Sequence, residues 1–295
     1  MFTNPVSRSY RFINRNGFRE FLRVLGRISR TQFTALYHLP YVDELCYRGS
    51  LCRLRAHQRS EAALEDVLDT VYQYSGCGAY ETLAPLQLRS ELAAITEYLD
   101  GLSPETVVEI GTHHGGTLYT WGRHLDSVET LVSVDVPGGT TPPMFLREAL
   151  PETRVEFVRG NSHARETRLE LERVLDGEAI DVLFVDGDHT LDGVRSDWET
   201  YRQLVGEDGV VLFHDIVSIE EDERTDVDFF WDRLAPTHDI VEIVDAEYDP
   251  HDPVSVAGVP IVGHGFGVVL NPRADGVPSD RHDPRLGDET RAGST

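Results

Sequence analysis

A doubly wound α/β fold is predicted for this 295-residue chain by three features of its sequence. From Thr106 onward, short β-branched runs alternate with segments of helical periodicity. Runs such as Val182–Val185 and Val210–Phe213 are apolar without interruption, as expected of parallel strands that are covered on both faces. Right-handed crossovers between such strands place helices on both sides of one sheet.

The first 60 residues carry the opposite charge to the rest of the chain. They hold eleven arginines and three acids, whereas the remainder holds sixteen arginines and forty-eight acids. Apolar residues from Phe18 to Ile28 follow helical spacing with arginines on another face, which predicts a basic amphipathic helix. A membrane surface is one partner for that helix, but the acidic body of the chain or a second subunit is favoured.

The remaining elements follow in order along the chain. Further helices are predicted at 60–75, 86–100, 115–126, 142–149, 163–176, 190–205 and 225–235. Strands are predicted at 106–110, 130–136, 154–158, 181–186, 209–214, 240–245 and 265–270. A loop rich in Pro and Gly, 249–264, joins the last two strands and favours antiparallel pairing there. These patterns predict a helical, arginine-rich extension over 1–84, one α/β domain over 85–271 and a disordered acidic tail over 272–295.

The net charge of −24, with every basic side chain an arginine, excludes some partners. Phosphate backbones would be repelled, so we expect no nucleic acid partner. Concentrated salt screens such self-repulsion, since the Debye length falls to about 3 Å at 1 M, and a halophilic source is a hypothesis.

The three cysteines, Cys46, Cys52 and Cys77, form no Cys-x-x-Cys pair. We therefore expect three separate thiols rather than a disulfide framework or a zinc site. No run approaches the roughly 18 apolar residues of a transmembrane segment, and a signal-peptide pattern is not evident. A cytoplasmic location is expected.

The first candidate site lies where strand one ends, because open parallel sheets bind ligands beyond the carboxyl ends of their strands. Here Val-Glu-Ile-Gly-Thr-His-His-Gly-Gly, 108–116, leads into a helix N-terminus, and its glycines permit close approach of a ligand to the backbone. Gly-x-Gly-x-x-Gly is absent, which argues against a dinucleotide pyrophosphate. A Glu two residues before the first glycine fits S-adenosylmethionine better.

Strands two and three add polar residues to the same edge. Asp135 can accept hydrogen bonds from both hydroxyls of a ribose, in S-adenosylmethionine or in NAD. Asn161 or Ser162 either borders the adenine or caps the next helix.

Strands four and five deliver acids and imidazoles into one crevice. Asp186, Asp188 and His189 follow strand four, and His214 and Asp215 end strand five. Unpaired charge is costly at buried strand ends, so a divalent cation, Mg²⁺ or a softer metal, would explain the cluster. The alternative is a structural hydrogen-bonded cluster.

From about Leu86 to Leu270 the chain resembles the class I methyltransferases. It is most similar to the small O-methyltransferase branch that includes caffeoyl-CoA, catechol, cephalosporin-hydroxylase-like and macrocin-type enzymes. The generic part of the resemblance is Val-Glu-Ile-Gly-Thr at 108–112 and Val-Asp at 134–135. Its more specific part is Phe-Val-Asp-Gly-Asp-His at 184–189 and Asp-Gly-Val-Val-Leu-Phe-His-Asp at 208–215.

The resemblance implies a mostly parallel, seven-stranded Rossmann-like sheet whose last strand is antiparallel, and S-adenosylmethionine as cofactor. The residues assigned to the cofactor are Glu109, Gly111, Thr112, His113, Gly115, Gly116, Asp135, Asn161, Ser162 and Asp186. The cation ligands it implies are Asp186, His214 and Asp215, although the family pair after strand five is usually Asp-Asn or Glu-Asp.

The expected reaction is methyl transfer to a hydroxyl of a small molecule, a sugar or a phenol. His189 or His214 would take the proton, since an imidazole titrates near pH 6.5. The N-terminal helices are expected to serve a homo-oligomer. Three rivals stay open: an NAD-dependent oxidoreductase, a non-catalytic ligand-binding relative, and a metal-dependent hydrolase.

Overall fold

The computed structural model describes residues 40–57, 63–136, 143–218, 226–248, 255–256, 259–260 and 263–273. Some predicted features lie outside these ranges. They are the basic helix of Phe18–Ile28 and most of the tail after Leu270. No helix in the described ranges combines the length and apolar character needed to cross a membrane.

Strands and helices alternate from Thr106 onward, as predicted. The strands are β1 Thr106–Ile110, β2 Thr130–Asp135, β3 Arg154–Arg159, β4 Ile180–Val185, β5 Val205–Ser218, β6 Asp239–Ile243, β7 Ser255–Val256, β8 Val259–Pro260 and β9 Gly263–Leu270. The helices are α1 Pro40–His57, α2 Leu64–Gln73, α3 Arg89–Leu102, α4 Gly116–His124, α5 Pro143–Ala149, α6 Arg165–Leu175, α7 Leu191–Tyr201 and α8 Asp226–Leu234. Short 3₁₀ turns lie at Gly78–Tyr80, Arg202–Leu204 and Ala235–Thr237.

One seven-stranded sheet organises these elements, in the order β3-β2-β1-β4-β5-β9-β6. Neighbours from β3 to β5 are parallel, and β9 runs antiparallel to both β5 and β6. This confirms the predicted doubly wound sheet with an antiparallel last strand. The small β7–β8 hairpin in the loop before β9 was not predicted.

Two apolar layers cover the sheet, because successive side chains of a buried strand point to opposite faces. Phe184 of β4 packs in the layer beneath α2, α3 and α4, with Leu92 and Trp121. Its neighbour Leu183 packs in the other layer, beneath α6, α7 and α8, with Trp198. Both layers are fully buried, which explains the uninterrupted apolar runs in the sequence.

The helices before the sheet share the first of these layers. Leu54 of α1 and Leu68 of α2 are fully buried in the same apolar cluster as Leu92 of α3 and Phe145 of α5. The side chains of Tyr47, Tyr80 and Phe145 pack with ring centroids between 5.2 and 6.2 Å apart. In the described part of the extension, the helices are therefore packed onto the body of the fold.

The prediction of three separate thiols is wrong for two of the cysteines. Cys46 of α1 and Cys77, just before the 3₁₀ turn, form a disulfide, whereas Cys52 is free and exposed. The two partners are 31 residues apart in different elements, with Cα atoms 5.0 Å apart. Only the packing of α1 against the turn brings them together, so their spacing in the sequence carried no signal.

Candidate active site

The turn after β1 requires glycine at its first position. Gly111 has a φ of 90°, and a Cβ added there would collide with the backbone carbonyl of Asp186. Its N–H donates to the carbonyl of Val134 at 3.0 Å, and the Asp186 N–H donates to the carbonyl of Ile110 at 2.9 Å. The ends of β1, β2 and β4 are thereby tied together at one point, with Asp186 beside the turn.

The same turn then leads directly into α4. Gly115 has a φ of 78° and donates its N–H to the carbonyl of Thr112 at 2.8 Å. A Cβ on Gly116 would collide with the carbonyl of Leu83, so the segment before α3 lies directly against the start of α4. His113 is also left-handed, with a φ of 47°, an uncommon conformation for a residue other than glycine.

A pocket opens between this turn and the ends of β2 and β3. It is lined by Thr112, His113, Ser133, Asp135, Phe157, Val158 and Arg159. The hydroxyls of Thr112 and Ser133 share a hydrogen bond of 2.7 Å, and Asp135 Oδ1 accepts the N–H of Val136 at 2.7 Å. Three predicted cofactor residues, Thr112, His113 and Asp135, thus line one pocket.

Glu109 lies buried behind this pocket, with 2% of its surface exposed. Burial raises its pKa well above the ordinary value, a hydrogen bond from Thr112 opposes the shift, and the charges of Asp186 and Asp135 add to it. Within the described ranges, Glu109 Oε2 has no hydrogen-bond partner. A buried carboxylate oxygen of this kind is costly unless a donor reaches it.

Imidazoles on the turn are uncharged at neutral pH. Burial lowers the pKa of His113, although Asp135 and Asp186 oppose the shift. Burial and the neighbouring His113 lower the pKa of His114 to about 4. The two rings lie edge to face, with centroids 3.9 Å apart.

The loop after β3 does not cap the following helix through either predicted residue. Asn161 Oδ1 accepts the N–H of His163 at 2.8 Å, and the carbonyl of Ser162 accepts the Tyr201 hydroxyl at 2.6 Å. The residue at the start of α6 is Ala164, which has no side chain able to cap. Of the two predicted roles for Asn161 and Ser162, only the adenine border stays open.

Acids and an imidazole converge where β4 and β5 end. The cluster contains Asp186, His189 and Asp215. Each residue contributes one possible ligand atom, and these three atoms lie within 4.8 Å of one another. His189 Nε2 is 3.2 Å from Asp186 Oδ1 and 3.6 Å from Asp215 Oδ2. Together with the burial of Asp215, these distances define an acid–imidazole cluster that differs from the predicted cation set by containing His189 in place of His214.

His214 lies beneath the cluster, with its ring 5.0 Å from that of Phe266. Its Nδ1 is 3.0 Å from Asp215 Oδ1 and 3.7 Å from Asp186 Oδ1, and its Nε2 is buried without a hydrogen-bond partner among the described residues. Burial lowers the pKa of His214, but Asp215 and Asp186 outweigh that effect and raise it to about 9. His214 is therefore cationic at neutral pH.

The carboxylates and imidazoles of the cluster shift each other's pKa values. Burial acts to raise the pKa of Asp215, but His214 and His189 bring it below the ordinary value. The hydrogen bond that His189 donates to Asp186 raises the pKa of His189 despite its burial. Asp215 also has a φ of 61°, an unusual conformation for aspartate, and lies in the register shift between β5 and β9.

Gln87, which supports Asp186 from the segment before α3, was not predicted. Gln87 Nε2 donates to Asp186 Oδ2 at 2.7 Å, and its Oε1 accepts the Thr117 hydroxyl at 3.2 Å. A buried pair formed by Glu91 of α3 and His264 of β9 was also missed. Contacts that join residues 99 and 173 positions apart leave no local pattern in a sequence.

Comparison with known proteins agrees with this arrangement. Residues 108–216 match a family described as "Methyltransferase domain". The Uncharacterized protein y4gI of Sinorhizobium fredii (strain NBRC 101917 / NGR234) is 28% identical over 121 residues, which are 39% of this chain and 13% of that protein. The chain thus spans about an eighth of the length of the curated relative that it matches.

Solved structures also share features of the fold. An O-methyltransferase from Bacillus cereus in complex with SAH has 17% identity and a TM-score of 0.47, over 72% of this chain and 91% of that chain. The O-methyltransferase TomG from Streptomyces achromogenes, involved in tomaymycin synthesis and in complex with SAM, has 16% identity and a TM-score of 0.44, over 77% of this chain and 97% of that chain. Likenesses at this level carry no functional argument.

The family match covers residues 108–216, less than half of the chain, and this part is similar to a methyltransferase domain, as the resemblance predicted. The strand order shows the doubly wound α/β fold.

Proposed function

We propose that the protein is an S-adenosylmethionine-dependent methyltransferase that acts on a hydroxyl of a small molecule, a sugar or a phenol. The observation that carries this proposal is one juxtaposition. The acid–imidazole cluster of Asp186, His189 and Asp215 lies next to the turn and pocket of β1 and β2, joined to them through the contact between Asp186 and Gly111.

The first half of this site suits the cofactor. Asp135 lines the pocket, and Glu109 and Asp186 are close enough to interact electrostatically behind it. The charges of Asp135 and Asp186 favour a ligand with a sulfonium and an ammonium group over the pyrophosphate of NAD, which they would repel. The unpartnered Glu109 Oε2 is suited to accept a hydrogen bond from such a ligand. S-adenosylmethionine, when bound, supplies an activated methyl group.

The second half of the site suits a hydroxyl acceptor. Asp186, His189 and Asp215 offer two carboxylate oxygens and one imidazole nitrogen, a donor set that fits a divalent cation. A cation held there would lower the pKa of an acceptor hydroxyl, as metals do for water. His189 Nε2 serves either as a ligand or as a proton acceptor, since one lone pair cannot do both. His214, cationic and enclosed, balances the charges of Asp215 and Asp186.

Calorimetric titration tests the cofactor assignment. S-adenosylhomocysteine should bind the full-length protein, and NAD should not. Asp135→Ala should weaken S-adenosylhomocysteine at least tenfold, whereas Asp192→Ala, at an exposed acid on α7, should leave its affinity unchanged. Tighter binding of NAD than of S-adenosylhomocysteine would contradict the proposal.

Transfer of a labelled methyl group tests the reaction. Catechol, phenol and methyl α-D-mannopyranoside should be tried as acceptors, each with and without Mg²⁺ or Mn²⁺. We expect turnover on at least one of them. Binding of S-adenosylhomocysteine without turnover on any hydroxyl compound would favour a non-catalytic relative instead.

Removal of the cation tests the metal role separately. Asp186→Asn and Asp215→Asn should each reduce turnover by about 100-fold, because each removes a charged ligand. EDTA should reduce wild-type turnover to a similar level, and Mn²⁺ should restore it. Full activity of both variants, with no effect of EDTA, would leave methyl transfer intact but remove the cation from it.

The same proposal extends to the chain as a whole. We assign the α/β domain to 85–271, the helical extension to 1–84 and an acidic tail to 272–295, and we infer a cytoplasmic protein whose N-terminal helices serve a homo-oligomer. Its charge of −24 supports the absence of a nucleic acid partner. Light scattering of the full chain, beside a chain that starts at residue 40, tests the oligomeric assignment.

A further inference from the structure

A buried carboxylate–imidazole pair lies beside the site and has no part in the function described so far. Glu91 of α3 has 1% of its surface exposed, and His264 of β9 has 6%. His264 Nδ1 lies 2.8 Å from Glu91 Oε1. The backbone N–H of Asp245 donates to the same oxygen, and that of Gly265 donates to Oε2, both at 2.8 Å.

These hydrogen bonds determine the state of the imidazole. A carboxylate held by two backbone donors can only accept a further hydrogen bond, so the His264 proton lies on Nδ1. The lone pair of the neutral ring then lies on Nε2. Among the described residues, the ring of His264 hydrogen-bonds through Nδ1, to Glu91.

Strand pairing places His264 at the active edge of the sheet. His214 pairs with Phe266, and Val217 pairs with His264, at the end of β5. The register shifts between these two pairs, but the contact of His264 with Glu91 places its side chain on the α3 side of the sheet, in the layer that also contains Phe266. His264 is also near Asp215, since a charge on its ring would lower the pKa of that carboxyl.

The other imidazoles near the acceptor half are engaged in different ways. His189 Nε2 belongs to the acid–imidazole cluster and is occupied when that cluster holds a cation. His214 Nδ1 faces Asp215, and its Nε2 is enclosed by protein. His113 and His114 lie on the turn after β1, at the cofactor half. Within the described ranges, His264 is thus the remaining imidazole near the acceptor half of the site whose lone pair is oriented and not otherwise engaged.

We propose that His264 is the catalytic base of the methyl transfer and that Glu91 is its positioning residue. This inference rests on the proposed function and deepens it. His264 Nε2 takes the proton as the acceptor O–H bond breaks, and the electron pair stays on oxygen. That oxygen forms the bond to the methyl carbon while the carbon–sulfur bond breaks, its electron pair going to sulfur to give S-adenosylhomocysteine. His264 is left as an imidazolium next to the Glu91 carboxylate and returns the proton to water.

Kinetics of variants of the full-length protein test the base, with the acceptor that reacts best among catechol, phenol and methyl α-D-mannopyranoside. His264→Ala should lower kcat by about 100-fold or more. Its affinity for S-adenosylhomocysteine should stay within about twofold of the wild type, and added imidazole should restore part of the rate. Glu91→Gln should give a smaller loss of kcat, with little change in KM. The matched control is His124→Ala, at the end of α4, which should retain wild-type kinetics.

Several outcomes would overturn the base role. One is a His264→Ala variant that keeps more than a third of the wild-type kcat. Another is a loss of activity that imidazole does not restore and that follows a loss of S-adenosylhomocysteine affinity, as a structural role predicts. His264→Gln, with its melting temperature measured beside the others, provides a second variant if the alanine variant does not fold.

A measurement without any acceptor separates failure of this inference from failure of the proposed function. Long-range ¹H–¹⁵N spectra of the wild type should show neutral His264 protonated at Nδ1, and Glu91→Gln should shift the proton toward Nε2. An Nε2-protonated ring in the wild type would overturn the inference even if methyl transfer is observed. Conversely, a wild type that does not bind S-adenosylhomocysteine would overturn the proposed function, and the base role with it.

Discussion

At the scale of single residues, Gly111 has the most demanding position in the site. Its φ of 90° and its contact with the Asp186 carbonyl leave no room for a side chain. The turn at Gly111 holds the cofactor half of the site against the acceptor half, because it packs directly on Asp186, the first residue after β4. Replacement of Gly111 should therefore affect both the stability of the fold and the binding of the cofactor.

Gly111→Ala should reduce the free energy of unfolding by about 2–4 kcal/mol, since it combines a left-handed φ with a backbone collision. It should also abolish binding of S-adenosylhomocysteine. The matched control is Gly101→Ala near the end of α3, where nothing lies within 4 Å of an added Cβ. That change should stabilise the helix by about 0.5–1 kcal/mol. Urea denaturation measures both, and equal effects would contradict the assignment.

A second prediction at the scale of residues concerns the buried carboxylate of Asp197. It is fully buried on α7, with His163 Nε2 3.5 Å from its Oδ1. Burial raises its pKa to about 6, although Ser162 and His163 act in the opposite direction. Because the folded pKa exceeds the unfolded one, the stability that Asp197 contributes at low pH is lost as the pH rises from about 4 through 6.

Asp197→Asn removes this titration. The stability of the variant relative to the wild type should increase by about 1–2 kcal/mol between pH 5 and pH 7.5. Asp192→Asn, at an exposed acid of the same helix, is the matched control. Denaturation at the two pH values measures the difference, and the same pH dependence in both variants would argue against a buried, raised pKa.

At the scale of elements, the alternating part of the sequence was the most predictable. Continuous apolar runs such as Val182–Val185 identified parallel strands, because both faces of the sheet are buried. The residues at the ends of β1, β2, β4 and β5 followed from that assignment, since ligand sites in such sheets lie at one edge. Their convergence on Asp186 was thus accessible from local patterns alone.

Contacts between distant elements were not predictable in the same way. Gln87 reaches Asp186, Glu91 reaches His264, and Cys46 reaches Cys77, each across a separation that only the packed fold closes. The exchange of His214 for His189 in the acid–imidazole cluster has a similar origin. The sequence places both imidazoles near the strand ends, and only the packed fold shows that His189 joins Asp186 and Asp215 while His214 lies buried beneath them.

The disulfide gives a prediction at the scale of elements. The unfolded protein, without reductant, should react with one equivalent of a thiol reagent, at Cys52, and with three after reduction. Cys46→Ser should lower stability by about 2–4 kcal/mol, because the bond closes a long loop in the unfolded chain. Cys52→Ser is the control, since that thiol is exposed. Three reactive thiols in the purified, unreduced protein would show that Cys46 and Cys77 are not bonded.

At the scale of the whole molecule, the charge of −24 dominates. Self-repulsion on this scale disfavours the compact state in dilute buffer and weakens as salt shortens the Debye length to about 3 Å at 1 M. The melting temperature should therefore rise by several degrees or more between 0.1 and 2 M NaCl. Differential scanning calorimetry measures this change, and maximal stability in dilute buffer would contradict a halophilic origin.

The position of β9 in the sheet has a consequence for how the protein is completed on the ribosome. β9 is the last strand in the described part of the chain, yet it lies between β5 and β6, which are both synthesised before it. A nascent chain that has not yet released residues 263–270 leaves those two strands without their shared neighbour. The same insertion brings His264 to Glu91, so the protein acquires its proposed base in the step that closes the sheet.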